Sequence, residues 1–107
     1  MAIVVNLRQD PYDVYIGRAG RGHHGYFGNP IVLGKKCSVC GKTHTKAGNT
    51  LPCFEIYFLD RIAKDDQFRR RIQALRGMVL GCFCKPRPCH GDIIVRWLED
   101  NPDPDNE

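Results

Sequence analysis

The sequence predicts a small α/β protein in which helices flank a single-layer, partly parallel sheet. The chain has 107 residues, which is the length of one small domain. Two observations carry the prediction. Short apolar segments alternate along the chain with longer segments of helical periodicity, so helices separate the later strands. A cysteine-rich segment at about residues 35–53 interrupts this pattern as an insertion.

Three short apolar segments are predicted to form the strands. Residues 2–7 and 14–17 are rich in β-branched side chains and are separated by turn-forming residues. Residues 78–84 form a compact apolar run, which is typical of a strand buried inside a sheet. The order of elements is therefore two strands, the insertion, two helices, a strand and a final helix.

The three predicted helices have recognisable ends. Asn49 or Thr50 is a suitable N-cap for the first, and Pro52 is tolerated in its first turn. The second covers residues 66–76 and ends at Gly77, and the third begins between residues 89 and 92. Spacings of three and four residues predict the inward-facing side chains, which are Leu51, Phe54, Phe58, Ile62, Phe68, Ile72, Leu75, Ile93, Ile94, Trp97 and Leu98.

Residues 1–100 are predicted to form one domain, and residues 101–107 a disordered acidic tail. No apolar run is long enough to span a membrane, and the N-terminus does not resemble a secretion signal. We therefore expect a cytoplasmic protein. In that reducing compartment its six cysteines serve as metal ligands or reactive thiols, with disulfides as the alternative.

The charge of the chain is unevenly distributed. The formal net charge is only +4, but residues 14–54 and 67–91 contain no aspartate or glutamate. Basic residues in such stretches create a positive field that favours anions such as phosphates. The alternative is that they simply solvate loops and helix faces, and this is the preferred interpretation for Arg69, Arg70 and Arg71 on the second helix.

The strongest motif is the spacing C-x2-C-x3-H-x8-C formed by Cys37, Cys40, His44 and Cys53. Three thiolates and one imidazole are a ligand set of tetrahedral zinc. The spacing of Cys37 and Cys40 lets a tight turn aim both sulfur atoms inward, and Cys53 falls in the first turn of a helix. Because four protein ligands leave no open position for water, the motif predicts a zinc knuckle that holds one structural Zn²⁺ per chain.

A second cluster lies between the last strand and the last helix, where ligands bind in open α/β sheets. It contains Cys82, Cys84, Cys89 and His90. Cys89 at a helix N-terminus is a candidate nucleophile, and His90 could move a proton. A second metal site and buried structural thiols are the alternatives.

A glycine-rich loop precedes the zinc motif. Residues 20–25 match G-x-G-x-x-G, but no helix opens from them, so a dinucleotide site is not predicted. The backbone N–H groups of this loop could still hold a phosphate beside Arg18, Arg21, His23 and His24. The alternative is a mobile surface loop.

Four motifs together resemble a known family. They are Tyr15-Ile-Gly17-Arg18, Gly28-Asn29-Pro30, Cys82-x-Cys84 and Pro88-Cys89-His90-Gly91-Asp92. From Asp13 to Leu98 the chain resembles the family catalogued as domain of unknown function 4326, which consists of small proteins of bacteria and their phages. The zinc knuckle resembles an addition that only some members carry.

The resemblance implies a fold and a site but no established reaction, and by analogy a nucleotide-related role in phages or mobile elements. On its motifs, the candidate ligand-binding residues are Tyr15, Gly17, Arg18, Gly28, Asn29 and Asp92. The candidate catalytic residues are Cys84, Cys89 and His90.

The leading hypothesis is a zinc-stabilised protein of phage or bacterial origin that binds a nucleotide-like, phosphate-bearing small molecule. If the protein also processes this ligand, the cysteines and His90 indicate a hydrolase or transferase. One alternative is a nucleic-acid-binding module with Tyr15, Tyr26 and Phe27 as stacking residues. Another is a phage–host protein–protein adaptor. No membrane partner is expected, and the sequence leaves the oligomeric state open.

Overall fold

The computed structural model describes residues 2–18, 20, 22, 24–46, 48–83, 85 and 87–102. These residues form strands β1 (Ile3–Asn6), β2 (Val14–Tyr15) and β3 (Val79–Cys82) and helices α1 (Leu51–Lys64), α2 (Asp66–Gln73) and α3 (His90–Asp100). The predicted α/β class is confirmed. No helix in these residues is long and apolar enough to cross a membrane. Cys84, Arg21, His23 and the tail residues 103–107 lie outside the described part of the chain.

The three strands form one sheet in the order β1-β3-β2. Both pairings are parallel, with Leu80 of β3 opposite Val4 of β1 and Val14 of β2. Leu80 and Cys82 are almost completely buried, as expected for a central strand. Because all three strands run in the same direction, their carboxyl ends lie at one edge of the sheet, and the segments that follow them meet there.

The helices cover the sheet with the side chains that their periodicity predicts. Phe54 and Phe58 of α1 are 1% and 0% exposed and stack with ring centroids 5.8 Å apart. Trp97 of α3 meets Phe58 edge to face. Buried apolar side chains of this size each contribute roughly 1.5–3 kcal/mol to folding, so this aromatic cluster holds α1 and α3 against each other.

Helix α2 ends earlier than its apolar spacing predicts. Asp65 caps its start by accepting a hydrogen bond from the Phe68 backbone N–H at 3.1 Å. The helix stops at Gln73 and continues as turns to Gly77, whose φ of +79° matches the predicted left-handed stop. Leu75 remains buried in this turn. The spacing of buried apolar side chains therefore continues beyond the last residue of the helix.

Candidate functional site

A cavity of about 550 Å³ lies at the carboxyl edge of the sheet. Its walls are formed by the segments that follow the three strands and by the N-terminal ends of α1 and α3. Six of the candidate ligand-binding and catalytic residues line it, namely Tyr15, Gly17, Arg18, Asn29, Cys89 and His90. Gly28 and Asp92 lie outside this lining. We call this space the carboxyl-edge cavity.

Sequence reasoning did not anticipate Arg8 and Phe83 among the residues that line the carboxyl-edge cavity. Arg8 follows β1 and Phe83 follows β3, and both line the cavity. The Arg8 guanidinium lies 4.9 Å from the centroid of the Phe83 ring. Arg8 directly follows the first predicted strand, and that position was the signal available for it. Phe83 falls within the third predicted strand, residues 78–84, so its place in the cavity lining was not expected.

Arg18 clamps the turn that forms one wall of the cavity. Its guanidinium donates to the backbone oxygen of Asn29 and, at 2.6 Å, to that of Ile31. The Tyr15 hydroxyl donates in turn to the Arg18 backbone oxygen at 2.6 Å. The motif segment at residues 15–18 is therefore joined directly to the motif segment at residues 28–30.

Asn29 connects this turn to the start of α1. The side chain is 6% exposed. Its Nδ2 donates to Thr50 Oγ1, and its Oδ1 accepts from the Ile31 backbone N–H, both at 2.9 Å. Thr50 is the N-cap of α1 but makes no side-chain capping bond. Both polar atoms of the Asn29 side chain thus have protein partners, so Asn29 positions the wall of the cavity.

Gly28 is required by a close approach of two backbone segments. A Cβ atom at this position would lie 2.5 Å from the backbone oxygen of Gly17. No side chain fits at that distance without movement of the backbone. Glycine at position 28 therefore lets this turn pack directly against Gly17 and Arg18, which line the cavity.

Asp92 caps helix α3 beside the cavity. Its Oδ2 accepts from the backbone N–H of Cys89, the N-cap residue, at 3.1 Å, and its Oδ1 forms an ion pair with Lys85. The Cys89 sulfur accepts in return from the Gly91 backbone N–H at 3.4 Å. These contacts fix the start of α3 and with it the position of the Cys89 thiol.

His90 is buried, and its hydrogen bonds define its tautomer. Its Nε2 lies 2.6 Å from the backbone oxygen of Ile16. A carbonyl oxygen can only accept, so Nε2 carries the proton. Burial lowers the pKa of His90, which keeps the ring neutral at pH 7. Nδ1 is therefore unprotonated, and it lies 3.6 Å from the Cys89 sulfur.

The thiols of the second cluster lie at the inner end of the cavity. Cys82 and Cys89 are each 1% exposed, and their sulfur atoms are 3.0 Å apart. Cys84, the other predicted member, lies outside the described residues. The described cysteines form no disulfide with one another, in contrast to the alternative considered from the sequence.

The zinc-knuckle motif forms a compact cluster. The ligand atoms of Cys37, Cys40, His44 and Cys53 all lie within 4.8 Å of one another. A tetrahedral ion with bonds of about 2.3 Å holds sulfur ligands about 3.8 Å apart, so a small contraction would complete the site. The cluster is compatible with one metal ion. Within the described residues, no second group of three or more such ligands comes together.

A tight turn builds this cluster as its spacing predicts. Residues Lys36 and Thr43 form an antiparallel bridge, and Gly41 adopts a φ of +78° between them. A hydrogen bond from the Cys40 backbone lowers the pKa of Cys37 to about 6. Burial instead raises the pKa of Cys53, in the first turn of α1, to about 11. Cys37 is thus more readily deprotonated for ligation than Cys53.

Little of the predicted phosphate loop can be described. Arg21 and His23 lie outside the described residues, whereas Gly20 lines the cavity. His24 Nδ1 accepts from the Tyr26 backbone N–H at 3.4 Å. The loop therefore reaches the cavity through Gly20 and the neighbouring Arg18.

Together, the fold and the two clusters define a small parallel α/β protein with a Cys3His group and a carboxyl-edge cavity. Residues 5–100 match the family described as Domain of unknown function (DUF4326), and the chain belongs to that family. An uncharacterized 12.4 kDa protein in the nrdA-td intergenic region of Enterobacteria phage T4 is 36% identical over 92 residues, covering 86% of this chain and 72% of the phage protein. No solved structure matches the chain.

Acidification is expected to destabilise the protein through His90. The folded-state pKa of His90 is lowered, whereas an unfolded chain titrates histidine near about 6.5. Between these two values the unfolded state binds more protons, so the free energy of unfolding falls as the pH decreases below about 6.5. The Cys82 thiol, Arg18 and Asp92 also act on this titration.

The measurement is urea unfolding of the wild type and of His90→Gln between pH 5 and pH 8. Glutamine keeps an N–H donor for the Ile16 oxygen but does not titrate. The stability difference between the two proteins should therefore shift in favour of the variant as the pH falls. A difference that stays constant with pH would contradict this role of His90.

Proposed function

We propose that the protein binds a small nucleotide-like anion in the carboxyl-edge cavity and that Cys37, Cys40, His44 and Cys53 hold a structural Zn²⁺ ion. One observation carries the proposal for the cavity. The N-terminal ends of two helices and two arginines converge on it, and no carboxylate lies among its described lining residues. We place this activity in the cytoplasm of the bacterial host.

The charges around the cavity favour an anion. The ends of α1 and α3 contribute partial positive charge and backbone N–H groups, and such ends are common binding sites for phosphate. Among the described residues, Arg8 and Arg18 form no ion pair with a carboxylate. Their positive charges are therefore not neutralised by an internal partner, which raises the local concentration of anions.

The aromatic side chains favour a nucleotide over a bare phosphate. Tyr15 and Phe83 both line the cavity and meet edge to face with centroids 6.3 Å apart. A base stacked on an aromatic ring gains about 1–3 kcal/mol. The volume of the cavity is also within the range of roughly 300–1,000 Å³ that small-molecule sites occupy.

In the catalytic form of the proposal, Cys89 acts as the nucleophile and His90 as the base. The Cys89 thiol transfers its proton to His90 Nδ1, and the sulfur bonds to an electrophilic centre of the ligand. The bond to the leaving group breaks, and the leaving group takes the proton from His90. Water then releases the product in a hydrolase, and a second acceptor does so in a transferase.

The donor set supports zinc as the metal. Three thiolates and an imidazole suit this borderline-soft ion, and a closed set of four protein ligands is typical of structural sites. Cys53 belongs to α1, whereas Cys37 and Cys40 belong to the inserted turn. An ion at this point therefore ties the insertion to the helix whose N-terminal end lines the cavity.

The nucleic-acid alternative has weaker support. Arg69 and Arg70 are paired with Asp66 on their own helix. The ring of Tyr26, a proposed stacking residue, is covered by Arg61 and Arg71 at 5.0 and 4.8 Å. A nucleic-acid interface would also lose affinity steeply with added salt, which the binding experiment can measure.

Arg8→Ala is expected to weaken binding of the anionic ligand about tenfold, equivalent to about 1.4 kcal/mol. The test is calorimetric titration with nucleoside mono-, di- and triphosphates and the corresponding nucleosides. Arg70→Ala is the matched control, because it removes an exposed arginine of α2. Cys89→Ser should abolish any turnover that the wild type shows.

The proposal fails if no phosphorylated nucleotide binds the wild type. It also fails if Arg8→Ala and Arg70→Ala bind equally well. Unchanged turnover in Cys89→Ser would remove only the catalytic form of the proposal.

A further inference from the structure

We propose that Cys82 and Cys89 are a reversible dithiol–disulfide pair, oxidised by a small organic disulfide that enters through the carboxyl-edge cavity. Neither thiol belongs to the Cys3His group. The proposal stands whichever ligand the cavity binds.

The two sulfur atoms are already close together. They are 3.0 Å apart, about 1 Å more than the length of a disulfide bond. Both thiols are buried, and both line the cavity. A reagent that fits the cavity can therefore reach them.

Two fixed elements hold the thiols in this arrangement. Cys82 ends the central strand, where it pairs with Asn6 and its backbone oxygen accepts from the Leu7 N–H at 3.1 Å. Cys89 is the N-cap of α3 and is held by Asp92. Because both residues are fixed and their sulfur atoms are already 3.0 Å apart, closure needs only a small movement of the two side chains.

His90 supplies the base for the first step. Its unprotonated Nδ1 lies 3.6 Å from the Cys89 sulfur and can accept the thiol proton. The Cys89 sulfur then attacks one sulfur of the small disulfide, whose other half leaves as a thiolate and takes that proton.

The second step closes the pair. The Cys82 sulfur attacks the mixed disulfide at Cys89, and the second half of the reagent leaves with the Cys82 proton. The protein loses two protons and two electrons, and the small disulfide is reduced to two thiols. A small thiol in excess reverses both steps.

The test is mass spectrometry of zinc-loaded protein incubated with oxidised glutathione, alkylated and digested with trypsin. Trypsin cuts poorly before proline, so residues 77–96 remain one peptide with Cys82, Cys84 and Cys89. In the wild type this peptide should lose about 2 Da and accept a single alkyl group. In Cys84→Ser it should show the same loss and accept none, and reductant should restore the alkylation.

Cys82→Ser and Cys89→Ser should each prevent the loss of mass. Closure that persists in either variant would overturn the assignment, because Cys84 would then be the partner. So would absence of closure in Cys84→Ser under conditions that oxidise a reference vicinal dithiol. No nucleotide is present in this experiment, so its failure is separate from a failure of the proposed binding function.

Discussion

Replacing Cys37 by serine will release the metal and lower the free energy of unfolding by about 3 kcal/mol or more. Structural zinc sites contribute apparent binding free energies of about 10–16 kcal/mol in small peptides, so losing even a fraction of this is a large effect. The described part of the insertion contains little other regular structure than the bridge between Lys36 and Thr43. An ion bound by the Cys3His group would therefore be the main cross-link of the insertion.

The measurement combines urea unfolding, followed by far-UV circular dichroism, with elemental analysis of the purified proteins. Cys82→Ser is the matched control, since it makes the same chemical change at a buried thiol outside the Cys3His group. The control should keep its metal. If Cys37→Ser also keeps both its metal and its stability, Cys37 is not a ligand.

Asn29→Ala is expected to lower the free energy of unfolding by about 2–4 kcal/mol. The substitution removes the partners of the Thr50 hydroxyl and of the Ile31 backbone N–H. A buried polar group left without a partner costs about 1–3 kcal/mol. Without the Asn29 side chain, the turn at residues 28–31 is no longer hydrogen-bonded to Thr50 at the start of α1. The wall of the cavity should therefore loosen as well.

A double-mutant cycle with Thr50→Ala isolates the contact to α1. We expect a coupling energy of at least about 0.5 kcal/mol, because the two side chains bond directly. Asn29→Asp is the conservative comparison, since its carboxylate can still accept from the Ile31 N–H and from the Thr50 hydroxyl. Additive effects of Asn29→Ala and Thr50→Ala would show that the contact is unimportant.

The features that the sequence predicted well are set by local spacing. Phe54 and Phe58 follow from helical periodicity, Gly77 from the need for a positive φ, and the metal cluster from four ligands close together in the chain. Each depends on residues near one another in sequence, so elementary geometry was sufficient.

The features that the sequence did not predict depend on long-range packing. The hydrogen bond between Asn29 and Thr50 joins residues 21 positions apart. No local sequence pattern predicts such a contact. Arg8 and Phe83 come together only because β1 and β3 are neighbours in a parallel sheet. Asp92, by contrast, caps α3 through the nearby Cys89 backbone N–H, a local contact that its place in the first turn of the helix allows.

The central claim is that the mid-chain cysteines bind one metal ion while the thiols at the cavity remain metal-free. Native mass spectrometry of the wild type and of Cys82→Ser/Cys89→Ser tests it most directly. We predict one zinc ion per chain in both proteins. Two ions in the wild type, or none in a protein purified under reducing conditions with zinc supplied, would contradict the account.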